Sequence, residues 1–341
     1  MKLQTAVSLV KGGRLGLLWR ANALFSPFYR LSFVAAAASE GLLRRLADGP
    51  RPLGVLATDL GIGPAGHAGL AAWLGLGVRL GELALDDRGY RLVGFLSRRL
   101  ADPVHDEVAA LLEEVAAFHH RLVLETPARL RAGRPWRLEE HDGELIARSS
   151  RILEPFVFPF VDELVPARGP VRLFEVACGS GTYLRRAAER NPELEAVGVE
   201  LQADVAEGAR RLVAEHGLSA RVTIEAGDIR TRPADPSFDL VTLHNALYYF
   251  PTDERAALLA HLGAFLRPGG RLLVCSSCRG GSPGMQLLDV WTSSALGLGP
   301  LPSEAELVAQ LGEAGFARVE MRRLVPGEPY VGVIASRRAS A

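Results

Sequence analysis

A strand that runs straight into a glycine-rich turn and then into a helix is the feature that most constrains this fold. Residues 171–176 are strand-like, residues 178–181 form the turn, and residues 182–190 have helical periodicity. Gly179 and Gly181 permit a sharp turn and a close approach of the backbone to a ligand. The helix that follows directs unpaired N–H groups at the same point. By itself, this pattern also fits a purely structural tight turn.

The chain after Pro170 alternates between strand and helix patterns. Six further strands are predicted, over residues 195–199, 221–225, 238–243, 271–275, 318–323 and 330–335. The helices between them are predicted over residues 204–216, 253–266 and 303–314. Alternation of this kind is typical of an α/β domain with a doubly wound, Rossmann-like sheet, here of seven strands.

The first half of the chain is mainly helical. Helices over residues 31–46, 52–60 and 65–76 precede two short strands within residues 82–92, which is the element order of a winged helix. A single amphipathic helix is predicted over residues 106–124, and a further helical stretch over 144–165. We therefore expect three regions along the chain. A winged-helix-like domain spans residues 1–105, a helical connector spans 106–165, and the α/β domain spans 166–341. The connector is expected to contribute to the pocket for the substrate, called the acceptor pocket below.

Two acidic residues stand at the ends of the strands that follow the glycine-rich turn. Glu200 ends the second predicted strand, roughly 20 residues beyond the turn, where a carboxylate can accept hydrogen bonds from both hydroxyls of a ribose. Asp228 follows the third strand, beside the expected base ring. Ligands of such sheets bind at the carboxyl ends of the strands. The set predicts a nucleoside-type ligand, against the alternative of solvated acids in surface loops.

This ordered set resembles the motifs of the class I S-adenosylmethionine-dependent methyltransferases. The resemblance covers residues 165–341 and is carried by the segments 175–181, 199–200, 227–229, 238–245 and 266–274. It implies S-adenosyl-L-methionine as the cofactor. The residues that it implies around the cofactor are Glu175, Gly179, Ser180, Gly181, Glu200, Leu201, Asp228, Ile229, His244 and Asn245. The last two are implied beside the sulfonium and the acceptor.

The first half of the chain is similar to the dimerising winged-helix domain of the small-molecule O-methyltransferases of natural-product biosynthesis. The segments 36–46, 54–61 and 90–92 carry this similarity, although their apolar positions also fit an ordinary core. It implies a homodimer formed through the N-terminal domain and methyl transfer to a hydroxyl, or less readily to an activated carbon, of a small and largely apolar metabolite. Some relatives use the same cofactor for hydroxylation, decarboxylation or cyclisation, which is the alternative function.

The sequence departs from that group at the expected catalytic base. Tyr248 stands where the group has a catalytic His, and Tyr249 stands where an Asp normally follows. His244 is the candidate base, with a polar lining role as the alternative, and Tyr248 is the second catalytic candidate because it can position the acceptor hydroxyl. The candidate residues of the acceptor pocket are Phe156, Phe160, Tyr249, Met285 and Trp291, for which helical packing is an equally weighted interpretation.

Composition argues against several other classes of protein. Acidic and basic residues number 39 each, so no global field attracts nucleic acid or an anionic membrane. The predicted helix over 65–76 has no Arg or Lys, which makes a DNA-binding regulator the least favoured function. No apolar run is long enough to span a membrane, and three cysteines fit a reducing cytoplasm. The pair Cys275 and Cys278 has no second pair nearby, so we expect no metal site, while metal assistance to the reaction stays open.

Overall fold

The structure, a computed structural model, describes residues 14–337. The first 13 residues of the predicted N-terminal domain and the last four of the chain lie outside the described residues. The chain separates into two compact units, one ending at Phe118 and the other beginning at His119. The domain borders expected after residues 105 and 165 stay predictions.

The first unit has the predicted order of helices before a short hairpin. The helices before the hairpin are α1 (Arg14–Ser39), α2 (Leu42–Arg45), α3 (Leu53–Asp59) and α4 (His67–Arg79). The hairpin strands are β1 (Leu83–Asp86) and β2 (Gly89–Leu92), and helices α5 (Phe95–Leu100) and α6 (Asp106–Glu114) follow them. The two strands pair antiparallel. Their core joins Phe33 and Leu42 to Leu74, Leu83 and Tyr90, all of which are buried. Burial of this shared apolar face stabilises helices and hairpin together.

The single helix predicted over residues 106–124 is present, but it contains a π-helical turn and continues to Arg131. The regular α-helix α6 ends at Glu114, and Val115–His119 form a π-helical turn before α7 (His120–Arg131) begins. A π-helical turn inserts one residue and shifts the faces of the helix on either side of it. Apolar periodicity alone does not reveal such an insertion, because one extra residue changes the spacing only locally.

The second unit contains one mixed sheet flanked by helices. Its helices are α7, α8 (Gly143–Ser149), α9 (Glu154–Leu164), α10 (Thr182–Arg190), α11 (Ala203–Glu215), α12 (Arg255–Ala264), α13 (Pro283–Ser294) and α14 (Glu304–Glu313). Its strands are β3 (Val171–Val176), β4 (Leu194–Glu200), β5 (Val222–Ala226), β6 (Phe238–His244), β7 (Leu266–Ser277), β8 (Phe316–Arg323) and β9 (Tyr330–Arg337). The predicted seven-stranded α/β sheet is thereby confirmed.

The strand order of the sheet creates a crevice at the carboxyl end of β3. The order is β5-β4-β3-β6-β7-β9-β8, in which β3 to β7 run parallel and β9 pairs antiparallel with both β7 and β8. The chain leaves β3 toward β4 on one side and later returns to β6 on the other. This reversal is the topological switch point at which open α/β sheets bind ligands.

Apolar side chains cover both faces of the sheet. One face packs with α12 and α14 through residues such as Phe174, Leu259 and Leu307. The other face packs with α9, α10 and α11 through residues such as Val161 and Leu184. Because central parallel strands are buried on both faces, they read as nearly continuous apolar runs, which is why the sequence predicts them well.

Candidate active site

The carboxyl ends of four adjacent strands meet at one cavity of about 380 Å³. Glu175 on β3, Glu200 on β4, Asp228 after β5 and His244 on β6 all line it. The other candidate cofactor residues that line it are Gly179, Ser180, Leu201, Ile229 and Asn245. The structure therefore brings together nine of these ten candidates, and the tenth, Gly181, is the N-cap of α10 beside them.

The glycine-rich turn has backbone angles that favour glycine. Gly179 has a φ of +53° and Gly181 a φ of +76°. A Cβ added to Gly179 would meet no protein atom within 4 Å, so the space beside its backbone belongs to the cavity. Ala177, with a φ of +52°, enters the same turn in a conformation that costs an alanine energy.

Glu200 is held in place by the backbone on either side of the crevice. The Gly179 N–H donates to Glu200 Oε2 at 3.0 Å, and the Gln202 N–H donates to Glu200 Oε1 at 3.1 Å. The carboxylate therefore has a fixed orientation while each oxygen keeps a lone pair for a further donor. A pair of vicinal hydroxyls is the natural partner for such a carboxylate.

Glu175 is a deeply buried acid with spare acceptor capacity. Its side chain is 2% exposed, Thr242 Oγ1 donates to Oε2 at 3.4 Å, and Oε1 has no partner. Burial raises the pKa of Glu175 from 4.5 to about 8, because the charged form loses its water. The carboxyl is therefore mostly neutral at pH 7 until a cation arrives beside it.

Asp228 lies at the more open end of the cavity. Its carboxylate accepts a hydrogen bond from the Arg230 backbone N–H at 2.9 Å and pairs with the Arg230 guanidinium at 2.7 Å. The hydrogen bond from the Arg230 side chain, followed by that from its backbone, holds the pKa of Asp228 below its usual value. Ile229, next in the chain, is buried at the edge of the same cavity.

His244 is buried at the end of β6 and packs against an aromatic ring. The ring centroids of His244 and Tyr183 are 4.4 Å apart, and His244 Nδ1 has no hydrogen-bond partner. Burial lowers the pKa of His244 from 6.5 to about 3. The imidazole is consequently neutral throughout the physiological range, and taking up a proton there is unfavourable.

Asn245 follows His244 with a strained backbone. Its φ of +52° lies in the left-handed region, which asparagine tolerates better than most residues. Its N–H donates to the Cys275 carbonyl at 2.7 Å, and its side-chain oxygen accepts from the Ser277 hydroxyl at 3.2 Å. Both contacts fix this corner between β6 and β7, where the cavity passes from the acidic side chains to the aromatic ones.

Only part of the predicted acceptor pocket lies at the cavity. Tyr248 and Tyr249 both line it, with ring centroids 5.0 Å apart. Phe160 lies instead in the core of the sheet, with its ring against the backbone of Gly332. Phe156 and Met285 are also absent from the cavity wall.

Trp291 packs inside the fold instead of lining the cavity. It is 2% exposed, with its ring centroid 6.3 Å from that of Trp136 and 5.5 Å from that of His141. The helical-packing interpretation thus describes its place in the structure. Apolar periodicity marks a buried side chain but does not tell whether it faces a cavity or another helix.

Six further apolar or aromatic residues line the same cavity. They are Leu138, Ile146, Leu153, Tyr183, Leu296 and Leu298. Sequence reasoning missed them because Leu138 and residues 296–298 lie outside regular α-helices and strands. Tyr183 had a usable signal, since it follows directly after the glycine-rich turn.

Neither a metal cluster nor a membrane span is found in the part of the chain that the structure describes. No group of three or more His, Cys, Asp or Glu side chains between residues 14 and 337 is arranged to hold a metal ion. The thiols of Cys275 and Cys278 are both buried and free, and burial raises the pKa of Cys278 to about 12. No helix within the same range is long and apolar enough to cross a bilayer.

Comparisons with known proteins agree with this geometry. Residues 173–270 match the family model of a methyltransferase domain. The chain is 30% identical over 239 residues to demethylspheroidene O-methyltransferase from Rhodobacter capsulatus, an alignment that covers 69% of this chain and 56% of the relative. It is 34% identical over 155 residues to aclacinomycin 10-hydroxylase from Streptomyces purpurascens, covering 44% of this chain and 41% of that relative. The chain thus aligns with about half the length of these two relatives.

The fold extends the similarity to nearly the whole chain. The structure of a mitomycin 7-O-methyltransferase superposes with a TM-score of 0.74 at 20% identity and covers 96% of this chain and 99% of that one. Domain match and sheet order together define the class: the chain carries a methyltransferase domain, matched over residues 173–270, in a seven-stranded α/β sheet. Within that class it resembles the O-methyltransferases of natural-product and pigment biosynthesis.

Proposed function

We propose that this protein transfers the methyl group of S-adenosyl-L-methionine to a hydroxyl, or to an activated carbon, of a small and largely apolar metabolite in secondary metabolism. The observation that carries the proposal is the convergence of Glu175, Glu200 and Asp228 on one cavity that continues into an aromatic wall. Transfer to oxygen is the preferred reaction, since the O-methyltransferase relative is similar over most of this chain.

The residues at the strand ends suit each part of S-adenosylmethionine. Glu200 offers both carboxylate oxygens to the ribose hydroxyls, with Leu201 beside the sugar. Asp228 and Ile229 would hold the adenine. The residues for the methionine portion are Glu175, Gly179, Ser180 and Gly181, where the unpaired Glu175 oxygen and the Cβ-free backbone of Gly179 leave space for an ammonium group. The chemistry of the site therefore fits this cofactor.

The acceptor side of the cavity favours an apolar ring system. Its wall combines Tyr183, Tyr248 and Tyr249 with the aliphatic side chains of Leu153 and Leu296. Such a surface binds a planar apolar molecule through burial of its faces and leaves few polar groups to orient it. Tyr248 occupies the position of the usual catalytic His and would position the acceptor hydroxyl.

His244 is a poor base for a phenol. Burial lowers its pKa to about 3, and the Glu175 carboxyl is assigned to the ammonium group of the cofactor. When bound, S-adenosylmethionine supplies a methyl group that is already activated at a sulfonium. The protein then contributes in-line placement of the acceptor and exclusion of water. A base would add about 10²–10⁴-fold, so a poor one favours an acceptor with an acidic hydroxyl or a stabilised carbanion.

A non-methylating reaction with the same cofactor is the second candidate function. The specific observation in its favour is the 34% identity to a protein named as a hydroxylase, together with Tyr248 in place of the usual His. In that case the same cavity would hold the cofactor and the small-molecule substrate. The substrate would be hydroxylated, decarboxylated or cyclised and would not be methylated.

We further propose a homodimer formed through the N-terminal unit. Helix α1 carries large apolar side chains that are well exposed in the single chain, among them Leu17 at 69%, Trp19 at 74% and Leu24 at 71%. Many exposed large apolar side chains on one helix favour burial in a protein interface. We expect the enzyme to act in the cytoplasm, where free thiols such as its three cysteines persist, and to need no nucleic-acid or membrane partner.

The test of the function uses product analysis with a panel of acceptors. The protein is incubated with S-adenosylmethionine and a set of apolar phenols and hydroxylated quinones, and S-adenosylhomocysteine and the acceptors are followed by mass spectrometry. The proposal expects S-adenosylhomocysteine and an acceptor heavier by one methylene group in equal amounts. An oxygenated or decarboxylated acceptor with the cofactor unconsumed would establish the second function instead.

A further inference from the structure

Arg255, the first residue of α12, is a buried cation that is held by carbonyl groups, while the negative charge of Glu306 acts on it from beyond salt-bridge distance. Its side chain is 1% exposed, and it forms no salt bridge with any residue between 14 and 337. Burial lowers the pKa of Arg255 to about 10, so the guanidinium remains charged at neutral pH. Burying an unpaired charge is costly unless hydrogen bonds compensate for the lost water. The hydrogen-bond partners of the guanidinium therefore show which parts of the structure this side chain holds.

The guanidinium of Arg255 joins two backbone segments that are distant in sequence. Arg255 Nε donates to the Phe250 carbonyl at 3.0 Å, and Nη2 donates to the Pro300 carbonyl at 2.8 Å. Gly299 lies directly against it, since a Cβ added there would be 2.6 Å from Nη2. The Gly299 N–H in turn donates to the Tyr248 carbonyl at 3.1 Å. The guanidinium group of Arg255 thus fixes the distance between the segment that contains Phe250 and the segment that contains Pro300.

Both segments belong to the acceptor side of the cavity. Residues 248–250 supply the two tyrosines and Phe250 to the cavity lining, and residues 296–298 supply Leu296 and Leu298. The second segment is also anchored at its start, where the Leu296 N–H donates to the Trp136 carbonyl at 2.8 Å. The residues proposed for the adenosine and methionine portions of the cofactor lie instead at the ends of β3, β4 and β5, while His244 and Asn245 stand at the end of β6. The hydrogen bonds of Arg255 go to Phe250 and Pro300 and to no residue at the first three strand ends.

We propose that Arg255 is a positioning residue for the acceptor, which sets the distance between the Tyr248–Phe250 turn and the Leu296–Leu298 wall. The inference rests on the proposed function in one respect: that function identifies the molecule bound at this wall as the methyl acceptor. It predicts that loosening the fork weakens binding and alignment of the acceptor and leaves the cofactor site intact. An arginine is required because its rigid fork reaches two carbonyls at once, which the single ammonium of a lysine does not reproduce.

A second arginine of the same unit provides a matched control. Arg221 also donates to backbone carbonyls only, to Asn191 and Leu194 at 3.1 Å and to Ala188 at 3.0 Å. These carbonyls lie between the last turn of α10 and the first residue of β4, and none of the four residues lines the cavity. Replacing Arg221 by Lys removes comparable hydrogen bonds, and so reports the purely structural effect of such a loss.

The experiment compares Arg255→Lys with Arg221→Lys in the full-length protein. Hydrogen exchange is measured over residues 246–252 and 295–302, S-adenosylhomocysteine affinity by calorimetry, and KM and kcat with the phenol that the wild type methylates fastest. For Arg255→Lys we expect faster exchange in both segments, a KM for the phenol raised roughly 10-fold with a smaller change in kcat, and a Kd for S-adenosylhomocysteine within about threefold of wild type. Arg221→Lys should leave exchange in both segments and the KM unchanged.

A second variant keeps the cation and disturbs the same contact. Gly299→Ala places a methyl group against Nη2, so it should reproduce the exchange pattern and the KM effect even if Arg255→Lys does not fold. The inference is overturned if Arg255→Lys and Gly299→Ala both match Arg221→Lys in exchange and in KM. If no phenol is methylated, the exchange data alone decide it. Failure of the wild type to bind S-adenosylhomocysteine would instead refute the proposed function.

Discussion

Two buried titratable groups determine the chemistry of the cavity at the scale of single residues. Glu175 and His244 lie on neighbouring strands, and burial drives both toward their neutral forms, with pKa values of about 8 and about 3. His244 is therefore a poor base at pH 7, and Glu175 keeps its proton there while no cation is bound. Glu175 becomes charged only when a cation compensates for its lost hydration, which makes it suited to binding.

Glu175 should make the stability of the free protein depend on pH. Since its pKa rises from 4.5 to about 8 on folding, the folded protein retains a proton that the unfolded chain releases between these values. Its contribution to stability is complete below pH 4.5 and is lost as the pH rises through 8. Glu175→Gln removes this loss. Urea denaturation should show the variant gaining stability over the wild type progressively from pH 5 to pH 8.

The control for this prediction is Glu195→Gln, which changes an exposed glutamate on β4. Its effect on the free energy of unfolding should be the same at both pH values. An equal effect of Glu175→Gln at pH 5 and pH 8 would contradict the burial argument for that residue.

His244 should not appear in the pH dependence of the reaction. With a pKa of about 3 it stays neutral from pH 5 to pH 9, so at saturating S-adenosylmethionine kcat/KM for the acceptor should follow ionisation of the acceptor hydroxyl and show no step from the imidazole. His244→Ala should lower kcat by altering the packing against Tyr183 while the shape of the profile is kept. Profiles with two acceptors of different acidity measure this. A fixed inflection near pH 6.5 that disappears in His244→Ala would show that the imidazole is the base.

At the scale of elements, the turn between β3 and α10 carries the cofactor argument. Gly179 has a positive φ and faces the cavity, so Gly179→Ala adds both backbone strain of about 1 kcal/mol and a methyl group in the ligand's space. We expect affinity for S-adenosylhomocysteine to fall by at least about tenfold in calorimetry.

Gly217 is the matched control for the turn. It has a φ of +67° and no atom within 4 Å of an added Cβ, but it follows α11 away from the cavity lining. Gly217→Ala should therefore lose similar stability and keep wild-type affinity. Equal losses of affinity in the two variants would mean that Gly179 acts through folding alone.

How far the sequence predicts these elements depends on what positions them. The strands β3 to β6 and the candidates Glu200 and Asp228 follow from local apolar runs and from the spacing of strand ends, so they are predictable. The acceptor wall is not, because its Leu296–Leu298 segment is positioned by Trp136 and Arg255, contacts that are remote in sequence. Phe160 shows the converse, since its apolar spacing predicts burial without telling which surface buries it.

At the scale of the whole molecule, helix α1 is the feature that a single chain leaves unexplained. Its exposed apolar side chains are accompanied by Arg14, Arg20 and Arg30 and by no acidic residue. We expect light scattering to show a homodimer for the wild type. Trp19→Glu, which places a charge at the most exposed of these side chains, should shift the protein toward the monomer because the charge would be buried in the interface.

The control for the dimer is Val308→Glu, on the surface of α14 in the second unit. It adds the same charge at an exposed apolar residue outside the N-terminal unit. A wild type that is monomeric, or a Trp19→Glu variant that dimerises as strongly as Val308→Glu, would contradict an interface through α1.

The account as a whole depends on the cavity at the strand ends being a site for an adenosyl ligand. Calorimetric titration with S-adenosylhomocysteine of the wild type, Glu200→Ala and Glu195→Ala tests this most directly, since the two glutamates lie on the same strand, one at the cavity and one exposed elsewhere. We predict one site per chain in the wild type and Glu195→Ala, and an affinity about 10–100-fold lower in Glu200→Ala, as expected for the loss of hydrogen bonds to a charged group. Absence of binding to the folded wild type, or equal affinity in all three proteins, would contradict the account.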